Sequence, residues 1–309
     1  MPGAGAPRAL IRAAARRLAG RLGYHVGRRR HFDLVERRFY SPVPDFEALP
    51  DDLFDRESEL AGIHLDAAEH MAFAESRLAP YVRELDEHPQ GFPLANDYYA
   101  AGDAHLAYAM VRHLRPGRVL ELGSGYSTLV MALACQANAH EGAQSTYTAY
   151  DPYPTPLLAH PPAGLTAYRA LPAQEVPLDE FTALETGDVL FVDTSHTVKL
   201  GGDVNHVVLD VLPRLAPGVH VHFHDIWLPF EYHPELVRNQ RLFWAEQYLL
   251  QAFLAMNGGY EIVLAAHAAR VRQPDRFRAL LPSWAPDTYP TSFWIRRRGG
   301  HTPSAGTRI

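Results

Sequence analysis

The chain has 309 residues, 47% hydrophobic and 21% charged, with a formal net charge of −6. That is the composition of an ordinary soluble globular protein, long enough for one large domain with an appendage or for two modest domains. No apolar run approaches the roughly 18 to 20 residues that a membrane-spanning helix needs. The single cysteine, Cys135 in "LVMALACQA", excludes an internal disulfide framework and favours a reducing, cytoplasmic setting. It reads as a small apolar residue on a buried helix face.

Residues 1–40 carry ten arginines against Asp33 and Glu36, so the remainder of the chain is strongly acidic. Within "RALIRAAARRLAGRLGYHV", Leu10, Ile11, Ala14, Leu18 and Leu22 fall near helical spacing, which predicts a basic amphipathic helix. With no uninterrupted apolar core and no small-residue cleavage site, it does not read as a secretory signal. Its sharp reading is peripheral contact with an anionic membrane surface, and its bland reading is a solvated extension. The acidic body argues against nucleic acid as a partner.

Residues 41–95 read as a helical and loop region packing on the main domain. Pro- and Asp-rich "SPVPDFEALPDDLFDRESEL" leads into a helix over about 60–86 that Pro80 is expected to break. "HPQGFPLANDYY" is a loop, and "AAGDAHLAYAMVRHL" is a helix ending before Pro116 and Gly117. From Arg118 the pattern alternates. "RVLELG", "STYTAYD", "LTAYRA", "GDVLFVD", "GVHVHFHD", "YEIVLAA" and "SFWIRRR" are strands. "YSTLVMALACQA", "DVNHVVLDVLPRL" and "NQRLFWAEQYLLQAFLAMN" are helices between them. Short apolar strands separated by helices predict an α/β fold with a doubly wound, mostly parallel sheet over residues 96–298. Residues 299–309 read as a disordered tail.

"VLELGSGYSTL" puts Gly123, Ser124 and Gly125 directly between a strand and a helix, where backbone amides approach a ligand closely. A dinucleotide fingerprint would have a third glycine at position 128, which holds Thr128. Glu121 ends the strand, and a second acid, Asp151, closes the next one, where it suits the two hydroxyls of a ribose. A plain structural turn and a dinucleotide site stay open at this point. The residues "ELGSG" and Asp151 resemble the class I S-adenosylmethionine-dependent methyltransferases, over roughly residues 95–297. The resemblance implies a Rossmann-like, seven-stranded sheet whose last strand runs antiparallel, with "YEIVLAA" and "SFWIRRR" as its final hairpin. It also implies that Glu121 faces the methionine amino group through backbone or water. Gly123, Ser124 and Gly125 would line the amino-acid part, Asp151 would hold the ribose, and Gln174 is a candidate for the adenine.

In an open α/β sheet the ligand crevice lies outside the carboxyl ends of the strands. Two strands here end in ligand-type residues: "FVDTSH" with Asp193 and His196, and "HVHFHD" with His224 and Asp225. Two aspartates suit a hard divalent ion such as Mg²⁺, and a nitrogen from His224 shifts the preference toward softer ions. His220, His222 and His224 alternate on one strand face. At about 3.3 Å per residue the outer two lie about 13 Å apart, too far for one ion.

Asp193, His196 and Asp225 together resemble the metal-dependent O-methyltransferases, including the macrocin type. There an acid ends the fourth strand, a histidine three residues later is the general base, and an acidic pair ends the fifth. His224 departs from that pattern where a glutamate is usual, and Ile226 departs from the catechol-type Asp-Asn pair. The resemblance implies His196 as base, Asp193 and Asp225 positioning the acceptor, and Asp193, His224 and Asp225 as the metal set. Otherwise His196 reads as a polar turn residue capping the next helix. Trp227, Phe230, Tyr232 and Trp244 read as a pocket wall, a lid or plain packing, and Glu246 and Gln247 are left undecided.

The expected activity is O-methylation of a small molecule or sugar-containing metabolite. A related metal-dependent hydroxylase or N-methyltransferase, and a non-catalytic nucleoside-binding scaffold at a membrane surface, are the competing readings.

Overall fold

In this computed structural model the described residues are 40, 43–45, 48–153, 155–156, 159–285 and 288–299. The basic helix and membrane contact expected within residues 1–39, and the tail expected beyond 299, lie outside them. The chain divides after Asp45, and everything below belongs to the second unit.

The seven strands are β1 Arg118–Leu122, β2 Thr146–Tyr150, β3 Ala167–Arg169, β4 Val189–Val192, β5 His220–Phe223, β6 Tyr260–Ala265 and β7 Phe293–Arg297. They form one sheet in the order β3-β2-β1-β4-β5-β7-β6. β1 to β5 pair in parallel, and β7 is antiparallel to both β5 and β6. Six strands therefore point one way and the last runs against them, slotted between β5 and the edge strand β6. The order reverses at β1, between β2 and β4, and a crevice opens at such a reversal.

Alternation along each strand builds a core on both faces. On β4, Val189 and Phe191 pack with the helices Ala79–Glu87, Asp103–Leu114 and Tyr126–His140, whereas Leu190 and Val192 pack with the opposite layer. Cys135 is buried in the first of these layers. Strand register sets Glu121 beside Phe191, Phe191 beside His222 and His222 beside Trp294. The Phe191 and His222 rings stack at 4.0 Å, and burial holds His222 well below the usual histidine range, so it is a neutral core residue.

Three expectations change. Pro80 does not break its helix. The chain stays helical from Ala67 to Glu87, with a wider turn at Ala74–Leu78, and Pro80 falls in the first turn of the segment that follows. A proline there surrenders an N–H that has no helical partner, and the wide turn before it gives the ring room. The long helix expected over residues 239–257 is helical from Glu246 to Leu254 only, after an isolated turn at Glu235–Asn239. Finally, β6 and β7 are not joined by a simple loop: the helices Ala266–Arg272 and Pro274–Leu280 lie between them. Among the described residues no helix is long and apolar enough to cross a membrane.

Candidate functional site

At the end of β1 the chain turns at Gly123 with φ +88°, a backbone region that side chains rarely adopt. A Cβ built on Gly123 would lie 1.8 Å from the Asp193 carbonyl oxygen at the end of β4. The Asp193 amide donates to the Leu122 carbonyl at 2.9 Å, and the Gly123 amide donates to the Tyr150 carbonyl at 2.9 Å. The turn is thus pressed directly against the first residue of "DTSH". Gly125 differs: a Cβ there would meet nothing within 4 Å, so the second glycine borders open space at the start of the helix Tyr126–His140.

The Glu121 side chain does not open onto that space. It is wholly buried and accepts hydrogen bonds from Ser127 Oγ at 2.7 Å, Thr128 Oγ1 at 2.8 Å and Tyr147 Oη at 2.6 Å. Burial pushes its carboxyl up to about 8, against the pull of those three donors. Its visible role is to tie the first turn of the helix to β2. Any approach to a ligand from this position falls to the backbone. Thr128, standing where a third glycine was tested for, also accepts from the Gly125 amide at 3.0 Å and so orders the turn.

Asp151, at the end of β2, accepts from both the amide and the hydroxyl of Ser124, each at 2.9 Å, and from the Tyr153 amide at 2.7 Å. Gly123, Ser124, Gly125 and Asp151 therefore form one constellation. Gln174 stands apart, exposed on the short turn Ala173–Glu175, and among the described residues no hydrogen bond ties it to Asp151.

The second constellation sits at the ends of β4 and β5. His196 Nε2 lies 3.2 Å from Asp193 Oδ1 and 3.5 Å from Asp225 Oδ2. Its Nδ1 lies 2.8 Å from Glu246 Oε2. His196 and Asp225 both adopt positive φ, +53° and +57°, which is uncommon for residues with side chains and concentrates at functional sites. The turn that holds His196 is tied down by Asp203, which accepts from the Ser195 amide at 2.8 Å and hydroxyl at 2.6 Å. Asp225 is steadied by Thr291 at the entry to β7, which donates to Oδ1 at 3.3 Å and accepts from the Asp225 amide at 3.2 Å.

His224 occupies the floor of this cluster. Its Nδ1 is 3.6 Å from Asp193 Oδ2 and from Asp225 Oδ2, and its Nε2 is 3.5 Å from Asp103 Oδ2. Its ring packs on Tyr99 at 4.9 Å. Asp103, at the start of the helix Asp103–Leu114, also accepts from the Thr291 amide at 3.0 Å and the Ser292 amide at 2.8 Å.

Burial alone would drive both site histidines toward the neutral form. For His196 the hydrogen-bonded Asp193 and Glu246, with the Asp225 charge, outweigh it and raise the pKa to about 10. Asp225, Asp193 and Asp103 likewise hold His224 well above the usual histidine range. Burial opposes ionisation of Asp193 too, but the two histidines keep its carboxyl well below the usual carboxylate range. The site is therefore a compact cluster of alternating charges.

Asp193, His196 and Asp225 each offer a donor atom, all within 4.8 Å of one another. Two carboxylate oxygens and an imidazole nitrogen fit a divalent ion. The sequence-based set had His224 in place of His196. Both imidazoles face the two acids: His196 Nε2 lies 3.2 and 3.5 Å from them, and His224 Nδ1 lies 3.6 Å from each while its Nε2 faces Asp103. Sequence reasoning missed Asp103 and Thr291, and left Glu246 open. A buried acid in "WAEQYLL", inside an apolar helical pattern, was the available signal for Glu246. Of the aromatic residues, Trp244 packs on the His196 ring at 4.6 Å and on Tyr232 at 5.8 Å, while Trp227 is buried.

Residues 120–226 match the family model described as a methyltransferase domain. An uncharacterised protein of Archaeoglobus fulgidus is 28% identical over 165 residues, covering 48% of this chain and 72% of that one. Among solved structures, an O-methyltransferase from Bacillus cereus in complex with SAH is 12% identical, with a TM-score of 0.38 over 75% of this chain and 97% of that one. The TDP-rhamnose 3′-O-methyltransferase CalS11 of calicheamicin biosynthesis is 12% identical, with a TM-score of 0.41 over 76% of this chain and 96% of that one.

The sheet order, with its antiparallel β7 beside β5, and the strand-turn-helix at Gly123 define a Rossmann-like methyltransferase fold. The stretch that matches the methyltransferase family model, residues 120–226, holds that turn and strands β2 to β5.

Proposed function

We propose that the protein transfers the methyl group of S-adenosylmethionine to an oxygen of a small-molecule acceptor, at the corner where "DTSH" meets the Gly-rich turn. The observation that carries the reading is the contact of Gly123 with the Asp193 carbonyl, which gives the donor turn and the acid-histidine cluster a common wall. The open space at Gly125 and the acid at Asp151 fit the cofactor, whose sulfonium supplies an electrophilic methyl group. Backbone at Gly123, Ser124 and Gly125 lines its amino-acid end, and Asp151 takes the ribose. In this reading residues 96–298 are the transferase, and the described part of the helical region before it, residues 48–95, packs upon it.

In this reading Asp193 and Asp225 orient the acceptor, or hold a divalent ion that lowers the pKa of its hydroxyl. His196 receives the hydroxyl proton at Nε2. In the free protein that nitrogen is protonated, because two carboxylates face it. Positive charge brought to this corner by the donor offsets them, so the imidazole releases that proton to solvent before the acceptor hydroxyl is engaged and is then free to accept one. Holding the oxygen in line with the methyl group provides most of the acceleration. Trp244 and Tyr232 wall the acceptor side.

Calorimetric titration with S-adenosylhomocysteine, with and without chelator, tests the cofactor assignment. The expected result is binding that Asp151→Ala abolishes and His196→Ala retains. No binding in either condition overturns the proposal. Binding without turnover across sugar, phenol and polyketide acceptors favours the scaffold reading instead.

A further inference from the structure

Three consecutive residues close on His196 from a distant part of the chain. The Ala245 and Glu246 amides both donate to the His196 carbonyl, at 2.8 and 3.1 Å. The Glu246 carboxylate meets Nδ1 at 2.8 Å, and the Trp244 ring lies against the imidazole at 4.6 Å. Glu246 is 1% exposed, and a carboxylate so deeply buried needs a specific partner. His196 is that partner. The contact also explains why the helix begins at Glu246 and no earlier: a chain already helical upstream would have bonded the Ala245 and Glu246 amides to its own carbonyls.

We propose that Glu246 is a positioning residue for His196: it accepts the hydrogen bond of Nδ1–H and thereby directs Nε2 at Asp193 and Asp225. Three constraints converge on one imidazole. The carbonyl grip fixes the backbone in its left-handed conformation, the carboxylate fixes which nitrogen faces inward, and the indole limits rotation of the ring. A histidine so held presents one defined nitrogen to its target, the arrangement that carboxylate-histidine pairs produce in both proton-transfer and metal sites. Gln247 ties the same clamp to the loop after β5, since its side chain accepts from the Trp227 amide at 3.0 Å and donates to the Phe230 carbonyl at 3.2 Å. The acceptor wall and the histidine therefore share one support.

The catalytic meaning of the clamp rests on the methyl-transfer reading, but the clamp itself is tested without turnover. Full-length protein labelled with ¹⁵N-histidine is compared with Glu246→Leu and Glu246→Gln by two-bond ¹H–¹⁵N correlation, with His196→Gln to assign the signal. In the unaltered protein His196 is expected to show a downfield Nδ1 proton protected from solvent. Glu246→Leu should lose that signal or speed its exchange by about tenfold or more, as for loss of a charged hydrogen bond. Glu246→Gln, which keeps an acceptor, should retain it with a smaller downfield displacement. Signals of His222, enclosed between Phe191 and Trp294, report whether each variant is folded.

An unprotonated Nδ1 in the unaltered protein, or an unchanged signal in folded Glu246→Leu, overturns the proposal. The unaltered protein and Glu246→Gln decide the question if the leucine variant does not fold. S-adenosylhomocysteine affinity, measured in parallel, should stay within about twofold in all variants, a shift below the tenfold that 1.4 kcal/mol represents. Absence of that binding throughout overturns the functional reading and leaves the clamp result standing.

Discussion

Replacing Gly123 and Gly125 separately by alanine distinguishes a glycine required by the fold from one required by a ligand. At Gly123 the new methyl would sit 1.8 Å from the Asp193 carbonyl oxygen, on a backbone with φ +88°. The backbone conformation alone costs about 1–2 kcal/mol for a residue with a Cβ. Relieving the overlap means parting β1 from β4 at their ends, which endangers the bonds from Asp193 N to Leu122 O and from Gly123 N to Tyr150 O. Each is worth about 1 kcal/mol. The sum, about 3–4 kcal/mol, would lower the midpoint of thermal unfolding by roughly 6–16 °C for a domain of this size. At Gly125 the methyl meets no protein atom within 4 Å, and φ 171° is ordinary extended backbone. Its stability cost should stay below about 1 kcal/mol, the difference between glycine and alanine at a helix N-cap. Scanning calorimetry gives the first quantity and titration with S-adenosylhomocysteine the second. The expected pattern is a destabilised Gly123→Ala and a stable Gly125→Ala with weakened binding. A Gly123→Ala variant as stable as the parent would refute the packing argument, and undiminished binding by Gly125→Ala would refute the assignment of the open space.

The Glu121 carboxyl, raised from 4.5 to about 8, binds a proton in the folded state that the unfolded chain has already released. Its contribution is therefore complete below about pH 4.5, declines by about 1.4 kcal/mol per pH unit above it, and is gone once pH passes about 8. Urea denaturation of Glu121→Gln against the parent from pH 5 to 8 should show the parent's stability falling faster, and parallel curves would contradict this. Asp103→Ala strips the acceptor from the buried Thr291 and Ser292 amides and should cost about 3 kcal/mol, which chemical denaturation measures directly. Mn²⁺ binding followed by electron paramagnetic resonance should weaken by about tenfold or more in Asp193→Asn, a loss typical of disturbed metal sites. Equal affinity in both proteins would remove Asp193 from the ligand set.

The parts legible in the sequence were those encoded within a few residues. "VLELGSGYSTL" announced its strand, turn and helix through local composition, and "FVDTSH" announced a polar end to a buried strand. What escaped was decided by partners far along the chain. Pro80 looked like a break because the widened turn before it leaves no compositional trace. The helix at Glu246 looked longer because its apolar period continues upstream, yet His196, fifty residues earlier, takes the amides that would have extended it. The enclosure of the Glu121 side chain also escaped, since the resemblance implies only an approach to a ligand through backbone or water. The pairing with β2 brings Tyr147 to that side chain, and the first turn of the following helix brings the Ser127 and Thr128 hydroxyls.

The insertion of β7 between β5 and β6 bears on how the molecule is assembled. Thr291 and Ser292, at the entry to that strand, bond Asp103 and Asp225, so the cluster is braced by a segment nearly two hundred residues beyond the helix it steadies. Strands β1 to β5 can associate as soon as they are synthesised, each beside a neighbour already made, and still leave a gap along the exposed edge of β5. Until β7 fills that gap, Asp225 lacks its hydroxyl partner and Asp103 its two amides. A nascent chain stopped short of residue 290 would carry the turn at Gly123 complete and the acid-histidine corner unbraced, so the bracing of that corner waits on the last strand to be made.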